Sequence, residues 1–289
     1  MRKLAALVVV ISSFLGASAA FATATIAQEV VNPASLDGTS GTTQTATITA
    51  SSGSTIHAFT VCVGTTSTAT FTDSASGTWN ALTTTTPLGG GFMIVANGYR
   101  ENVGSGSLTV TATYNVSCHH RGVYLIEATG VKTSSSLDGK AGQYQGSVGT
   151  GADAISSGNP VSAPTTGAPA LVVGCSVNFN NNVSLSAGTG FTGTGSVHWT
   201  AQLGGTLCEY KRVSSNGTYP ATFTGAATDN WTTHVAIFDE AGGGGGGVRD
   251  YQGFFGQPGL AVIGHGPVYQ LTGDRLVPVP KALELEGRR

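Results

Sequence analysis

Charge is what this chain has least of. Only 10% of its 289 residues are Asp, Glu, Lys or Arg, and 13 basic against 15 acidic side chains leave a formal net charge of −2. Affinity for a nucleic-acid backbone comes mainly from clustered Lys and Arg. Here the basic residues are scattered, several of them at the termini, which argues against nucleic acid as a partner. Beyond the first twenty-odd residues no stretch reaches the roughly 18 consecutive apolar residues of a membrane-spanning helix. Catalytic signatures are missing as well: there is no Gly-x-Ser-x-Gly elbow, no His-Glu-x-x-His pair and no phosphate-cradling loop followed by Lys. The four cysteines, Cys62, Cys118, Cys175 and Cys208, include no Cys-x-x-Cys pair, so a structural zinc lacks its usual ligand spacing. No cofactor is expected.

What the chain has in abundance is glycine, 43 residues of it, with runs of Ser and Thr and short apolar stretches rich in Val and Thr. That composition describes an all-β exported protein. A repeat organises it. Tyr99-Arg100-Glu101 answers to Tyr210-Lys211-Arg212, and the segments 106–113 and 217–224 follow at the same offset. After a one-residue slip, Val123-Tyr124-Leu125-Ile126-Glu127 and Gly130 match Val235-Ala236-Ile237-Phe238-Asp239 and Gly242.

Phase carries more weight than identity, because a half-buried strand alternates with period two and a one-residue slip turns every side chain over. Leu108, Val110, Ala112 and Tyr114 point inward, and Thr109, Thr111 and Thr113 outward. In the second copy Tyr219, Ala221 and Phe223 take the inward phase, and Thr218, Thr222 and Thr224 the outward one. Segments 123–126 and 235–238 are apolar in both phases and read as central strands covered on both faces. The expected fold is an antiparallel two-sheet sandwich of jelly-roll type, built from two pseudo-repeated halves.

Residues 1–22 have the layout of a secretory signal: a basic start at Arg2-Lys3, an apolar core, and small residues at Ala17-Ser18-Ala19 or Ala20-Phe21-Ala22. Residues 23–43 read as a loosely held polar arm. The sandwich spans 44–241, with halves 44–130 and 160–241 joined by a Gly- and Pro-rich crossing in which 143–145 and 160–163 are short edge strands. The connection Gly104-Ser105-Gly106 reads as a tight turn between antiparallel strands. Residues 242–247, six consecutive glycines, form a linker to a tail at 248–289.

Four cysteines in an exported chain imply two disulfides and allow three connectivities. Cys175 shares its phase with Leu171 and Val173, and Cys208 with Tyr210. Cys62 lies on the face opposite Phe59 and Val61, and Cys118 sits in the loop before Val123, within the same half. The expected pairs are Cys62 with Cys118 and Cys175 with Cys208. Trp79 follows a run of turn formers and should fold back on the sheet. With Tyr99, Tyr144 and His198 it is a candidate for ligand contact, since aromatic faces stack on sugars; Trp199 and Trp231 read rather as core or loop caps. Glu127 and Asp239 hold matching places in the two copies. A glycosidase needs two carboxylates roughly 5 Å apart, or roughly 6.5 to 9.5 Å for inversion, whereas each of these reads as an acceptor for turn amides. His119-His120 beside Cys118 carries soft ligand atoms, but neighbours on an extended chain point to opposite sides and make a poor metal site.

Phe71-Thr72-Asp73-Ser74 with Gly77-Thr78-Trp79, then Gly106-Ser107-Leu108-Thr109-Val110-Thr111, then 123–130, and Ala170-Leu171-Val172-Val173-Gly174 together resemble a loosely defined class of secreted bacterial and phage-associated β-sandwich surface modules. The resemblance covers about 45–241 and implies a surface or adhesion domain, with no catalytic residues to carry over; the four cysteines depart from its pattern. The expectation is a non-enzymatic, secreted or cell-surface adhesion or structural module. Its candidate partners are a glycan or another surface or structural protein. The alternatives are a carbohydrate-active enzyme of jelly-roll fold and a virion or extracellular filament component.

Overall fold

The structure is a computed structural model. It describes residues 23–34, 40–63, 68–85, 93–118, 120–145, 153–156, 169–178, 184–198, 205–225, 231–242, 260–261, 269–272 and 275–278. Thr and Val, stiff at χ1 and suited to a pleated surface, fill these segments, and no helix occurs among the described residues. The first eight strands are β1 (Thr25–Ala34), β2 (Gly41–Ala50), β3 (Ser54–Val63), β4 (Ala69–Asp73), β5 (Asn80–Thr85), β6 (Met93–Val103), β7 (Gly106–Cys118) and β8 (His120–Thr129). They form a five-stranded sheet, β1-β8-β3-β6-β5, and a three-stranded sheet, β2-β7-β4.

The next eight are β9 (Leu137–Gln145), β10 (Asp153–Ser156), β11 (Ala170–Asn178), β12 (Leu185–Ala187), β13 (Thr192–His198), β14 (Gly205–Val213), β15 (Thr222–Gly225) and β16 (Trp231–Asp239). Their sheets run β13-β14-β11-β16-β9 and β10-β15-β12. Adding eight to each strand number of the first pair of sheets reproduces the neighbours of the second pair. Every strand pairing among the described residues is antiparallel. In the tail, β17 (Leu260–Ala261), β18 (Tyr269–Thr272) and β19 (Arg275–Pro278) make a further small sheet.

Side-chain alternation stacks these sheets. In β3, Phe59 and Val61 belong to one apolar cluster, and Ile56, Ala58 and Cys62 to another. The second cluster is completed by Ile48 of β2, and by Leu108 and Val110 of β7, so it lies between the five-stranded sheet and its three-stranded neighbour. In β11, Leu171, Val173, Cys175 and Val177 join Phe59, Val61 and Tyr124, whereas Ala170 and Val172 join Phe223 and Leu185 of the other three-stranded sheet. The two five-stranded sheets therefore bury each other and each carries a three-stranded sheet on its outer face. The five-stranded sheets are thus inner and the three-stranded sheets outer. Edge strand β5 lies against β9 and β1 against β13. Aromatic rings tie the inner seam: Tyr99 to Phe238 at 5.5 Å and Phe59 to His234 at 6.1 Å between centroids. Each fully buried Val, Leu or Phe there contributes about 1.5–3 kcal/mol.

This explains why 123–126 and 235–238 are apolar in both phases: β8 and β16 lie in inner sheets, and Val123 to Ala128 and all of β16 are buried. Both expected disulfides are present, Cys62–Cys118 with Cα atoms 5.4 Å apart and Cys175–Cys208 with Cα atoms 4.0 Å apart. They play different parts. The first joins inner β3 to outer β7, while the second joins register partners of adjacent strands in one inner sheet. Cys118 ends β7 rather than sitting in a loop.

Other expectations need correction. Residues 25–34, read as part of a loose arm, form β1 and pair along β8 from Thr25↔Thr129 to Ala34↔Arg121. A register shift between Ile26 and Gln28 breaks its alternation, which hid the strand. The turn Gly104-Ser105-Gly106 does not close a hairpin; it carries the chain from inner β6 to outer β7. Residues 143–145 are indeed at a sheet edge, as the end of β9. Residues 218–221 are irregular, and only 222–225 of that segment is strand. The proposed signal at 1–22, the edge segment at 160–163 and the glycines at 243–247 lie outside the described residues.

Candidate functional site

The four candidate ligand-contact residues are not brought together. Trp79 is held in the loop after β4, where its Nε1 donates to Asp73 Oδ2 at 2.6 Å and its ring lies 5.5 Å from that of Phe71. Asp73 also pairs with Arg100 at 2.6 Å and accepts from the Ala75 and Gly77 amides. Burial works to raise the Asp73 pKa, but these bonds, Arg100 first, carry it below the usual carboxylate value. The indole thus caps a loop. Tyr99 is buried in the inner seam against Phe238. Tyr144 pairs with Thr232 on edge strand β9, and His198 with Gly205 on β13, the opposite edge of the same sheet. No shared shelf follows from these places. Trp231 is buried within β16, as a core residue; Trp199 lies outside the described residues.

The two matched carboxylates are also apart. Glu127 has the phase of Val123 and Leu125, facing outer strands β2 and β7, whereas Asp239 has the phase of Val235 and Ile237, facing the other outer sheet. They point to opposite sides of the stack. Glu127 accepts from the Ser51 amide at 2.5 Å and from Gln28 Nε2 at 2.6 Å. Burial alone would raise its pKa, and these bonds bring it below the ordinary value. Asp239 is paired with Lys132 Nζ at 2.6 Å. Both carboxylates are thus engaged at strand ends, as an acceptor of turn amides or a partner in an ion pair. His119 lies outside the described residues, and among those described no group of three or more His, Cys, Asp or Glu is placed to hold a metal.

Two buried polar features escaped the sequence reading. His57 on β3 and His234 on β16 lie in the inner seam, each about 2% exposed. Burial pushes His57 down to about 4, against a hydrogen bond with Asn97, and burial with His57 nearby pushes His234 to about 3. Both imidazoles are neutral at physiological pH. Glu209 on β14 faces the second outer sheet and accepts from the Gly188 amide at 2.7 Å and the Thr222 amide at 2.8 Å. Its burial raises its pKa to about 7, with those amides and Lys211 acting the other way. The sequence signal for the two histidines was a titratable residue inside an otherwise largely uncharged strand; Glu209 shares β14 with Lys211 and Arg212 and gave no such signal.

The outer surface of β2-β7-β4 has a different character. Register places Thr70, Thr113 and Thr43 in one row across the three strands, and Thr72, Thr111 and Thr45 in the next. Thr109 with Thr47 and Ser107 with Thr49 continue the array on two strands. The β2 and β4 members are exposed, and Thr109 and Thr111 on the middle strand are half-buried by their neighbours. Ten hydroxyl side chains share this face without one charged group among them. The Thr47 and Thr109 hydroxyls lie 2.9 Å apart. Strand geometry sets the row spacing at about 6.8 Å along a strand and about 4.8 Å between strands. The outward phase of Thr109, Thr111 and Thr113 was readable from sequence; their alignment with β2 and β4 was not.

No protein-family model, curated protein or solved structure matches this chain. Two disulfides indicate an oxidising compartment. No helix among the described residues is long and apolar enough to cross a membrane.

Proposed function

We propose that the chain is an exported, non-catalytic surface module, in which two jelly-roll halves pack through their inner sheets and the threonine face of β2-β7-β4 makes contact with an external surface. What supports the jelly-roll reading is strand order. The first, eighth, third and sixth strands of each set share one sheet and the second, seventh and fourth share the other, as two interleaved Greek keys require. The fifth strand departs, attaching beside the sixth. The matching of the two sets under a shift of eight supports a duplicated half.

The observation that carries the functional reading is the uncharged hydroxyl array. Fold alone does not choose between enzyme and binding module. The matched carboxylates Glu127 and Asp239 face opposite outer sheets, which favours binding over hydrolysis. Export is supported by the sequence of 1–22 and by the disulfides.

The test uses the exported chain on a quartz microbalance with uncharged hydroxyl-bearing and uncharged methyl-bearing surfaces, beside a glycan hydrolysis screen. Retention that Thr111→Lys weakens and Thr224→Lys leaves unchanged, with no glycan cleaved, is expected. Cleavage of a glycan, or retention indifferent to Thr111, overturns the reading.

A further inference from the structure

We propose that the threonine face of β2-β7-β4 binds ice. The inference rests on the reading of that face as a contact surface and names what it contacts.

A protein that adsorbs to a crystal must present groups at the crystal's own repeat, hold them still, and avoid groups that bind liquid water better. The face has two repeats in nearly perpendicular directions, about 4.8 Å and about 6.8 Å from strand geometry. Both lie close to oxygen repeats on planes of hexagonal ice. Each threonine offers a hydroxyl that takes a place in a water lattice and a methyl that fills the space between lattice waters. Its β-branched side chain is restricted at χ1, so neighbouring residues present alike without a large ordering cost.

The backing is rigid. Between the outward threonines, Ala46, Ile48, Val110 and Ala112 are at most 2% exposed against the inner sheet. The Cys62–Cys118 bridge fastens the far end of β7 to β3. The Ser51 and Ser54 turn between β2 and β3 is tied internally, Ser54 Oγ donating to the Ser51 carbonyl at 2.8 Å. Little conformational freedom remains to be lost on binding.

The chemistry of the face argues against other occupants. Polyanions and minerals are held by clustered charge; the ten side chains carry none, and the guanidinium at the end of the array, Arg121, is a single cation bound to the Thr43 and Cys118 carbonyls. Lipid is held by apolar or basic surface. Polysaccharide is usually gripped by aromatic stacking, but Tyr114 on β7 is buried beneath the face, its hydroxyl 2.5 Å from that of Thr60. A neutral lattice of donors and acceptors is the occupant that matches hydroxyls at fixed spacing. The second outer sheet supplies an internal control: Thr222 and Thr224 share a face with Ser186, but β15 has only four residues and β12 only three.

The experiment measures ice recrystallisation and thermal hysteresis with the exported, oxidised chain. The wild-type protein is expected to arrest grain growth and to facet crystals held just below melting. Thr111→Lys, and separately the more exposed Thr47→Lys, should raise the concentration needed by at least about tenfold. Thr224→Lys should leave it unchanged. Melting temperatures and circular dichroism of the variants identify any that misfold, and the exposed Thr47 position guards against loss of the central one. Wild-type grain growth equal to that in an equimolar inert globular protein overturns the proposal. So does full activity in both folded face variants. If the chain ignores ice but is retained on the hydroxyl-bearing microbalance surface through Thr111, the ice inference falls and the contact face stands.

Discussion

Replacing His234 with Gln should remove a defined part of the acid sensitivity of this fold. The imidazole sits in the inner seam among Phe59, Ala236 and His57, and burial lowers it to about 3 from an ordinary 6.5. Above pH 6.5 it is neutral whether the chain is folded or not, and it contributes nothing to pH dependence. Below 6.5 the unfolded chain takes up a proton that the folded chain refuses, so stability falls as pH drops towards about 3. Each pH unit in that window costs about 1.4 kcal/mol for one histidine. Between pH 6.5 and 4.5 the cost from His234 is about 2.7 kcal/mol. His57, held at about 4, loses stability over the same window. Glu209 works in the opposite sense: with its folded pKa raised to about 7, its contribution is fully present below the unfolded value and fades as pH rises through 7. Glu29, also raised by burial, acts in the same direction as Glu209. Wild type alone therefore mixes opposing slopes, but subtracting the His234→Gln variant cancels the carboxylates. The assay is urea unfolding of both proteins at pH 7.5, 6.0 and 4.5, followed by fluorescence. The stability difference should move by about 2–3 kcal/mol in favour of the variant between pH 7.5 and 4.5. Parallel curves would mean that His234 protonates freely in the folded protein, and the closed seam would be wrong.

Gly174→Ala should destabilise by about 1–3 kcal/mol, because a methyl there would run into the Ala221 Cβ, where β11 packs against the irregular segment before β15; thermal unfolding reads it. Removing either disulfide by paired Cys→Ala substitution should cost about 4 kcal/mol on the chain-entropy estimate, with separations of 56 and 33 residues giving similar values. A loss confined to one bridge would show that the other spans segments already held together when unfolded. Asp73→Ala should cost about 3 kcal/mol, since it strands the Arg100 guanidinium and frees the Trp79 indole. A red-shifted emission spectrum should accompany it, and unchanged emission and stability would contradict the capping role.

Much of this architecture was legible where one residue carries two kinds of information. Tyr124 and Leu125 are adjacent and both apolar, which called for cover on both faces, and they lie in different clusters. Cys62 in the phase opposite Phe59, and Cys175 in the phase of Val173, made the disulfide pairing legible from sequence. What stayed hidden depends on partners distant in sequence. Strand β1 takes its order from β8, and its bulge near Gln28 spoils local alternation. Gly104-Ser105-Gly106 looks like a hairpin turn because period two says nothing about which sheet comes next. Two pairs of sheets packed through a shared seam, rather than one pair, likewise leave no local trace, since a face buried against a distant sheet reads like one buried against a near sheet. At the candidate site the phase of Thr111 was plain, but its alignment with Thr45 and Thr72 required the register of three strands.

The shared inner seam is the claim on which the rigid outer face depends, and amide hydrogen exchange under native conditions tests it most directly. Amides of β3, β8, β11 and β16 should exchange together, at the free energy of global unfolding, because strands of both halves bury one core. Exchange of β11 and β16 at a much lower free energy than β3 and β8 would mean two halves that unfold separately, and would contradict the account.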